Sequence, residues 1–555
     1  MKNFSFSFFL NKKVIFFVIL FLFVAVRLSG LDLPYHQDEQ KYVARGVSLL
    51  GTGVTSGHPP LLGIIMTAAG FFFGDAFFRL MPFLFGVGSF LLLYALMRTL
   101  FDNKTALWAG FLYAISPYGV WASLMVDVDG AVLPFFAFAA FLFYVLWHQR
   151  IDRRRLYGTL LIISLVLGVL VKLSFVLVFA ALAIDMAIRY WRQGNRKAVY
   201  TALAGIIVLP LLALGLIAIL SLVLPSFNFS ETLGHAKGYI HFSGRGYGQI
   251  AFQTFKALLY LSPLLVIPTL FVSRQILYKL RPLVLYLGLA LIFYLVLFDF
   301  SSAALDKYLM VAVMPLAAAS GAVLAEAQGQ RLSRRWIVAG VVVAVFLIAA
   351  QAFPQAVPPL YPKGEWLTRI TSLKWNFLVP FMGGSGPTGF YASWLFLVTA
   401  WIVALGAAVW GFFRKNMMSA RPFVLIVGIV YSVIMLSELL FGYPHGSSKK
   451  VLDDALRYIE RTPSVQSVIT FNDIGGYHIN KMGKYERRMY AVPKYEKLYT
   501  ELLNNHYGHL LVVDIPRIYQ NSVYWRYVSS CRPEFVSHSG YISATLYDCA
   551  KHAKL

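Results

Sequence analysis

Charge is what this chain has least of. Only 13% of its 555 residues are charged, and 25 acidic residues stand against 49 Lys and Arg. Soluble globular domains carry about 25% charged residues, so a water-facing surface over most of the length is excluded. Cysteine is nearly absent: Cys531 and Cys549 are the whole supply, without the spaced partners that a metal site needs. No Gly-rich phosphate loop follows a strand, no low-complexity tract interrupts the chain and no internal repeat is detectable, so nucleotide binding has no support.

What fills the chain instead is apolar: 59% of residues are hydrophobic and the mean hydropathy is +0.66. Apolar runs of about 17–25 residues, the length that crosses hydrocarbon, recur up to position 442 and then stop. About 13 of them lie near 14–31, 76–98, 106–123, 131–148, 156–171, 174–190, 199–224, 251–273, 282–299, 306–325, 336–353, 389–413 and 422–442. The chain reads as a polytopic α-helical membrane protein. Its formal net charge of +24 would point to nucleic acid in a soluble protein, but Lys and Arg are also retained in cytoplasmic loops as an orientation signal. The clusters fall in alternate connections: Lys2/Lys12/Lys13, Arg98/Lys104, Arg150 with Arg153–Arg155, Arg189/Arg192/Arg196/Lys197, Arg274/Lys279/Arg281, Arg331/Arg334/Arg335 and Arg414/Lys415/Arg421. This places the amino terminus in the cytoplasm and, after an odd number of crossings, the segment from 443 onward outside. A cleaved signal peptide fits residues 1–30 poorly, because Val26-Arg27-Leu28-Ser29-Gly30 lacks a small-x-small site.

From Tyr443-Pro444 the pattern changes to short elements separated by turns, which divides the chain into a membrane domain over 1–442 and an extracytoplasmic domain over 443–555. Helices at 451–461 and 494–503 alternating with strands at 465–471 and 510–514 predict a small α/β layer domain. Cys531 and Cys549 bracket two strand-like stretches, 534–537 and 542–547, an arrangement suited to a disulfide closing a hairpin in an oxidising compartment; two free buried thiols are the alternative. The connections at 32–75, 225–250 and 354–388 are long and lie on the outer side, where loops of this length usually carry function.

Two acidic sites stand on that side. Asp38-Glu39 precede a stretch, Tyr42 to Leu50, whose spacing permits a short interfacial helix; an acid just before a helix is also an ordinary cap. Asp127 and Asp129 lie at the lip of a span, where carboxylates are unfavourable unless paired, hydrated or functional, and capping of the next span is again the plain alternative. Arg27, Arg79, Lys172, Arg245, Lys256 and Lys307 lie near outer membrane boundaries, where a cation commonly snorkels to headgroups. Acids together with cations suit a displacement in which a carboxylate deprotonates an attacking hydroxyl or amine while Lys, Arg or His stabilises a departing phosphate.

On these residues the chain resembles the polytopic GT-C glycosyltransferases that use polyprenyl-phosphate sugars, the group containing protein O-mannosyltransferases and the lipid A aminoarabinose transferase. The resemblance consists of Asp38-Glu39 followed by Tyr42, His58-Pro59-Pro60-Leu61, Asp129 ahead of Phe135-Phe136, and Gly168-Val169-Leu170-Val171-Lys172, in shared order with a shared span number. It implies a GT-C fold, Asp38 as catalytic base, Glu39 binding or orienting the acceptor and Asp129 as second acid, with Asp127 the alternative for that place. Tyr42, His58, Asp127, Lys172, Arg245 and Lys307 would bind substrate, the cations facing donor phosphate. The implied donor is a polyprenyl-phosphate-linked sugar and the acceptor a hydroxyl or amine of a lipid, glycan or protein at a bacterial inner membrane. Membrane lipids surround the chain, nucleic acid is no partner, and no cofactor is required.

Two other readings stand beside it. A transporter or flippase of lipid-linked sugar would place ionisable groups near the bilayer midplane, where Asp185 is the candidate, although Arg189 one turn on can pair with it. An oligosaccharyltransferase-like enzyme would need a divalent metal, for which Asp38, Glu39, Asp127 and Asp129 are the available ligands, but no WWD-like motif occurs in the terminal domain.

Overall fold

The computed structural model describes residues 11–47, 58–223, 227–237, 246–297, 306–326, 334–356, 364–382, 385–414, 417–490, 496–515, 517–518 and 520–549. The chain forms two compact units. One comprises Met1–Leu31, Tyr42–Leu332 and Leu405–Gly428; the other comprises Asp32–Lys41, Ser333–Ala404 and Ile429–Leu555.

Among the described residues, eight helices are long and apolar enough to cross a membrane, or nine with one bent pair counted as a span. Shorter apolar helices, Pro60–Phe73, Arg281–Leu297 and Val338–Ala352, accompany them. The first of these lies inside the stretch 32–75 that the hydropathy pattern assigns to a loop; at 14 residues it is too short to register as a span. Two runs expected to be continuous are broken, each at a Ser-Pro pair. The 106–123 run is two helices, Asn103–Ile115 and Pro117–Leu124, with the Ser116 hydroxyl accepting the Gly119 N–H at 3.1 Å. The 251–273 run bends by 93° between Gln253–Tyr260 and Pro263–Phe271, and the Ser262 hydroxyl accepts the Leu264 N–H at 3.2 Å. Serine satisfies an orphan amide and proline tolerates the first helical position, so the pair starts a new helix instead of continuing the old one.

In the first unit, helix Lys12–Leu28 packs on Asn103–Ile115, which also contacts Leu80–Leu100 and Val313–Glu326. Arg27 does not snorkel there. It is fully buried, donating to Ser123 Oγ at 2.6 Å and to the carbonyls of Phe23, Ala114 and Tyr113 at 3.1, 3.0 and 3.4 Å. A cation suits the carbonyl end of the broken helix, where the backbone dipole is negative and the orphan acceptors need donors. Arg79 is likewise buried and donates to the Leu124 carbonyl at 2.6 Å. The headgroup expectation fails for both, because a broken span exposes carbonyls that an arginine fork can satisfy inside the protein.

The second unit is organised by a five-stranded sheet with strands β3 (Val468–Phe471), β4 (Tyr485–Met489), β5 (His509–Val513), β6 (Arg532–Ser539) and β7 (Ile542–Asp548), in the order β4-β3-β5-β7-β6. β3 runs parallel to both β4 and β5, while β7 is antiparallel to β5 and β6. One face buries helix Ser448–Arg461 through Val451, Leu452, Ala455 and Ile459; the other buries Glu496–Asn505 and Val523–Ser530 through Tyr499, Leu503, Tyr524 and Val528. Helices on both faces make the expected α/β layers. Cys531 and Cys549 are joined across the open end of the β6–β7 hairpin. Strands β1 (Leu378–Phe381) and β2 (Phe390–Ser393), absent from the sequence expectation, form a separate antiparallel ribbon whose Leu378 and Tyr391 join the first of these cores.

Candidate functional site

The membrane unit brings four of the expected residues together. After Pro117–Leu124 the chain runs extended through Met125–Asp127 and turns into helix Leu133–Gln149 through a π-helical segment, Val128–Val132. Gly130 makes this possible, since a Cβ there would lie 2.2 Å from the Ala122 carbonyl oxygen. Asp127 carries the capping role, its side chain accepting the Val128 N–H at 2.5 Å, and also meets Lys307 Nζ at 2.9 Å. Asp129, two residues on, accepts Lys172 Nζ with both oxygens, at 2.6 and 2.7 Å.

Lys172 stands extended between helices Arg154–Val171 and Val176–Arg192. The Gly-x-x-x-Lys spacing has a steric reason: a Cβ at Gly168 would lie 2.3 Å from the Phe175 ring, so glycine lets that ring close the turn holding Lys172. The ammonium groups of Lys172 and Lys307 lie 4.9 and 5.3 Å from the centre of the Tyr308 ring. Tyr308 joins Asp129, Ser174, Tyr286 and Tyr294 around a cavity of about 20 Å³, room for one water. The four charged side chains are nearly enclosed, with 14% or less of each open. Tyr42 and His58 belong to the same unit, their rings 6.4 Å apart.

Asp38 and Glu39 belong to the second unit. The helix starts at Asp38, not after the acids, and spans Asp38–Val47, so both carboxylates lie in its first turn, where the helix dipole favours them. Asp38 pairs with Lys41 at 3.0 Å and keeps about a third of its side chain open. Glu39 is fully buried and accepts the His36 N–H at 3.1 Å while its own N–H donates to the His36 carbonyl, closing the turn ahead of the helix.

Gln40 Nε2 donates to the Asp473 carbonyl oxygen in the loop after β3. The Asp473 carboxylate accepts Tyr485 Oη at 3.0 Å and faces Arg488 at 3.5 Å. Burial pushes the Asp473 carboxyl above the usual carboxylate range, against Arg488, Tyr485 and Lys41, which pull it down. Burial also opposes the charge on Arg488, but Tyr490, Asp473 and Asp38 outweigh it and hold the guanidinium above its ordinary value. Gln40, Asp473 and Arg488 were not legible as site residues, because no motif connects positions so distant in sequence.

Of the remaining candidates, Arg245 lies outside the described residues. Lys256 is buried beside Tyr260, 5.6 Å from its ring centre. Asp185 accepts Tyr144 Oη at 2.7 Å and Arg189 Nε at 2.6 Å and is also bonded by Arg281, so its oxygens serve a buried structural network. Among the described residues no three His, Cys, Asp or Glu side chains gather as a metal-binding group.

Comparison with known proteins agrees with this architecture. Residues 57–217 match the family model described as dolichyl-phosphate-mannose-protein mannosyltransferase. The whole chain is similar in fold to ArnT from Cupriavidus metallidurans. The structure of that protein bound to undecaprenyl phosphate aligns with a TM-score of 0.53 at 13% identity, over 98% of both chains. Its apo structure gives a TM-score of 0.51 at the same identity and coverage. No curated protein shows a significant match to this sequence.

Proposed function

This chain is a multi-pass membrane protein of the GT-C glycosyltransferase fold, and we propose that it transfers a sugar from a polyprenyl-phosphate donor to a hydroxyl or amine acceptor on the extracytoplasmic face. The observation that carries this reading is the pairing of Asp129 with Lys172 and Asp127 with Lys307 around Tyr308. Charges enclosed in a membrane protein mark functional sites by default, and two ammonium groups sharing one aromatic ring are suited to a phosphate. A lysine carries three donors, so a phosphate can share each cation with its carboxylate.

In this mechanism Asp38 removes the acceptor proton as the acceptor oxygen or nitrogen attacks the anomeric carbon. The bond from that carbon to the phosphate oxygen breaks, and polyprenyl phosphate leaves with the electron pair, its charge stabilised by Lys172 and Lys307. Glu39 binds or orients the acceptor beside the base, Tyr42 contributes to substrate binding, and His58 serves the donor side. A single displacement inverts the anomeric configuration. We read it as metal-independent, which insensitivity to chelators would support. The transport reading loses its candidate, because Asp185 is committed to Tyr144, Arg189 and Arg281.

The test is to incubate membranes containing the full chain with undecaprenyl phosphates bearing labelled hexoses or pentoses and to follow the label. Transfer with inverted configuration is expected, and Asp38→Asn should abolish it while expression and insertion persist. Retained configuration, or normal turnover by that variant, overturns the assignment.

A further inference from the structure

Four described non-glycine residues have a left-handed backbone: Gln37, Leu373, Asn472 and Asp473, at φ of 49°, 56°, 52° and 59°. Such positions are uncommon outside glycine and persist where the surroundings over-determine them, often at functional sites. Three of the four meet at one place. Gln37 immediately precedes Asp38, and Asn472-Asp473 form the loop whose carbonyl receives Gln40 from the same helical turn.

The location of that loop adds to the argument. β3 is flanked by parallel β4 on one side and parallel β5 on the other, and the chain leaves β3 for β4 before crossing back to β5. The carboxyl end of such a strand is a topological switch point, the position where open α/β sheets ordinarily receive a ligand. Here Gln40 reaches that end. A Cβ on Gly476 would lie 2.5 Å from Asp473 Oδ1 and 2.8 Å from Gln40 Oε1, so glycine is what lets the segment fit. Gln37 bridges Ser385, the Thr388 N–H donates to the Pro34 carbonyl at 3.4 Å, and Tyr35 packs edge-on against Tyr477 at 5.6 Å. The short segment ahead of Asp38 is thus fastened at several points, all within its own unit.

We infer that the terminal domain positions the base: Asp473, through its carbonyl bond from Gln40, and Arg488, through the Asp473 carboxylate, fix the helical turn that carries Asp38. This rests on the reading of Asp38 as the base. Gln40, Asp473 and Arg488 are therefore positioning residues for the Asp38 carboxylate, and the terminal domain acts in the reaction through them.

The experiment uses the full chain in nanodiscs, with the labelled undecaprenyl-phosphate sugars as donors. Gln40→Glu replaces the donating amide by an oxygen and so breaks the bond to Asp473 with little change of shape. It should lower kcat about tenfold or more, since small misplacements of a catalytic group are costly, while the donor KM stays within about twofold of wild type. Backbone amide exchange over residues 38–47 should rise about tenfold. Arg488→Ala should lower kcat less, by about three- to tenfold, and Arg488→Lys should restore most of it. Unchanged kcat in Gln40→Glu and Arg488→Ala, alongside a dead Asp38→Asn, overturns the inference and leaves the reading of Asp38 intact. Equal turnover in wild type and Asp38→Asn overturns that reading instead, whatever Gln40→Glu does.

Discussion

Asp129 and Asp127 are each enclosed against a lysine from a distant stretch of the chain, at 2.6 and 2.9 Å, whereas Asp38 shares Lys41 of its own helical turn at 3.0 Å and remains about a third open. The chemistry of a carboxylate depends on that difference. An enclosed acid with a lysine on it is an anchor, which fixes a cation where water cannot screen it. An acid left about a third open beside an exposed lysine can exchange that contact for a substrate proton. On the proposed reading the first region would hold positive charge for a leaving phosphate, and the second would supply a base.

The comparison breaks most visibly if Asp38 is neutralised. Asp38→Asn should reduce kcat by about 1000-fold, within the range of a lost general base, and leave the thermal stability of the detergent-solubilised protein unchanged. A large loss of stability would make Asp38 an anchor too. Lys172→Met should do the reverse. Leaving Asp129 enclosed without its cation costs about 3–5 kcal/mol, readable as a lowered unfolding temperature, and turnover should fall as well. Adding Asp129→Leu to Lys172→Met should recover most of the stability and none of the turnover, because the apolar pair satisfies the fold and not the phosphate.

Gly168→Ala tests how the lysine is presented. The added methyl would overlap the Phe175 ring, an overpacking worth about 1–3 kcal/mol. If the Gly-x-x-x-Lys spacing exists to place Lys172, the surviving protein should show a raised donor KM with kcat less affected. A variant with wild-type KM would reduce the glycine to a packing role.

Much of the first region was legible in the sequence, since Asp127, Asp129, Gly168 and Lys172 stand at span ends where charge and glycine are conspicuous. Their pairing was not, because hydropathy gives the ends of helices and not which ends meet. The two Ser-Pro breaks were written in the residues Ser116-Pro117 and Ser262-Pro263, yet a span-length window averages over them. Arg27 was misread for a related reason: a cation at a span boundary snorkels only if no broken helix offers it carbonyls first. The second region was hardly legible. The left-handed backbone at Gln37, Asn472 and Asp473 carries no glycine signature, and Gln40 finds Asp473 across more than 400 positions. The α/β alternation of the terminal domain was clear, but β4, rich in charge at Glu486-Arg487-Arg488, did not look like a strand and so its arginine was passed over.

Lys41→Ala should be the mildest change in the base region. An exposed pair within one helical turn contributes under about 1 kcal/mol, so unfolding temperature should barely move. Turnover should persist, with the acceptor taking the place of the ammonium beside Asp38. Substantial unfolding would show that the base is held by its lysine and not by the loop at Asp473.

A third kind of carboxylate sharpens the contrast. Asp514, at the end of β5, is largely buried with a hydroxyl partner, Ser543 at 2.7 Å, and Arg517 at 3.4 Å. Burial raises its pKa above the ordinary carboxylate value, against Ser543 and Arg517, which lower it. A carboxyl whose folded pKa exceeds its unfolded one binds more proton in the native state between the two values. Stability therefore falls as pH rises through that window. Asp514→Asn removes the titration, so the variant should gain in unfolding temperature on wild type as pH is raised upward from the ordinary carboxylate value. The opposite trend would mean that Ser543 and Arg517 outweigh burial.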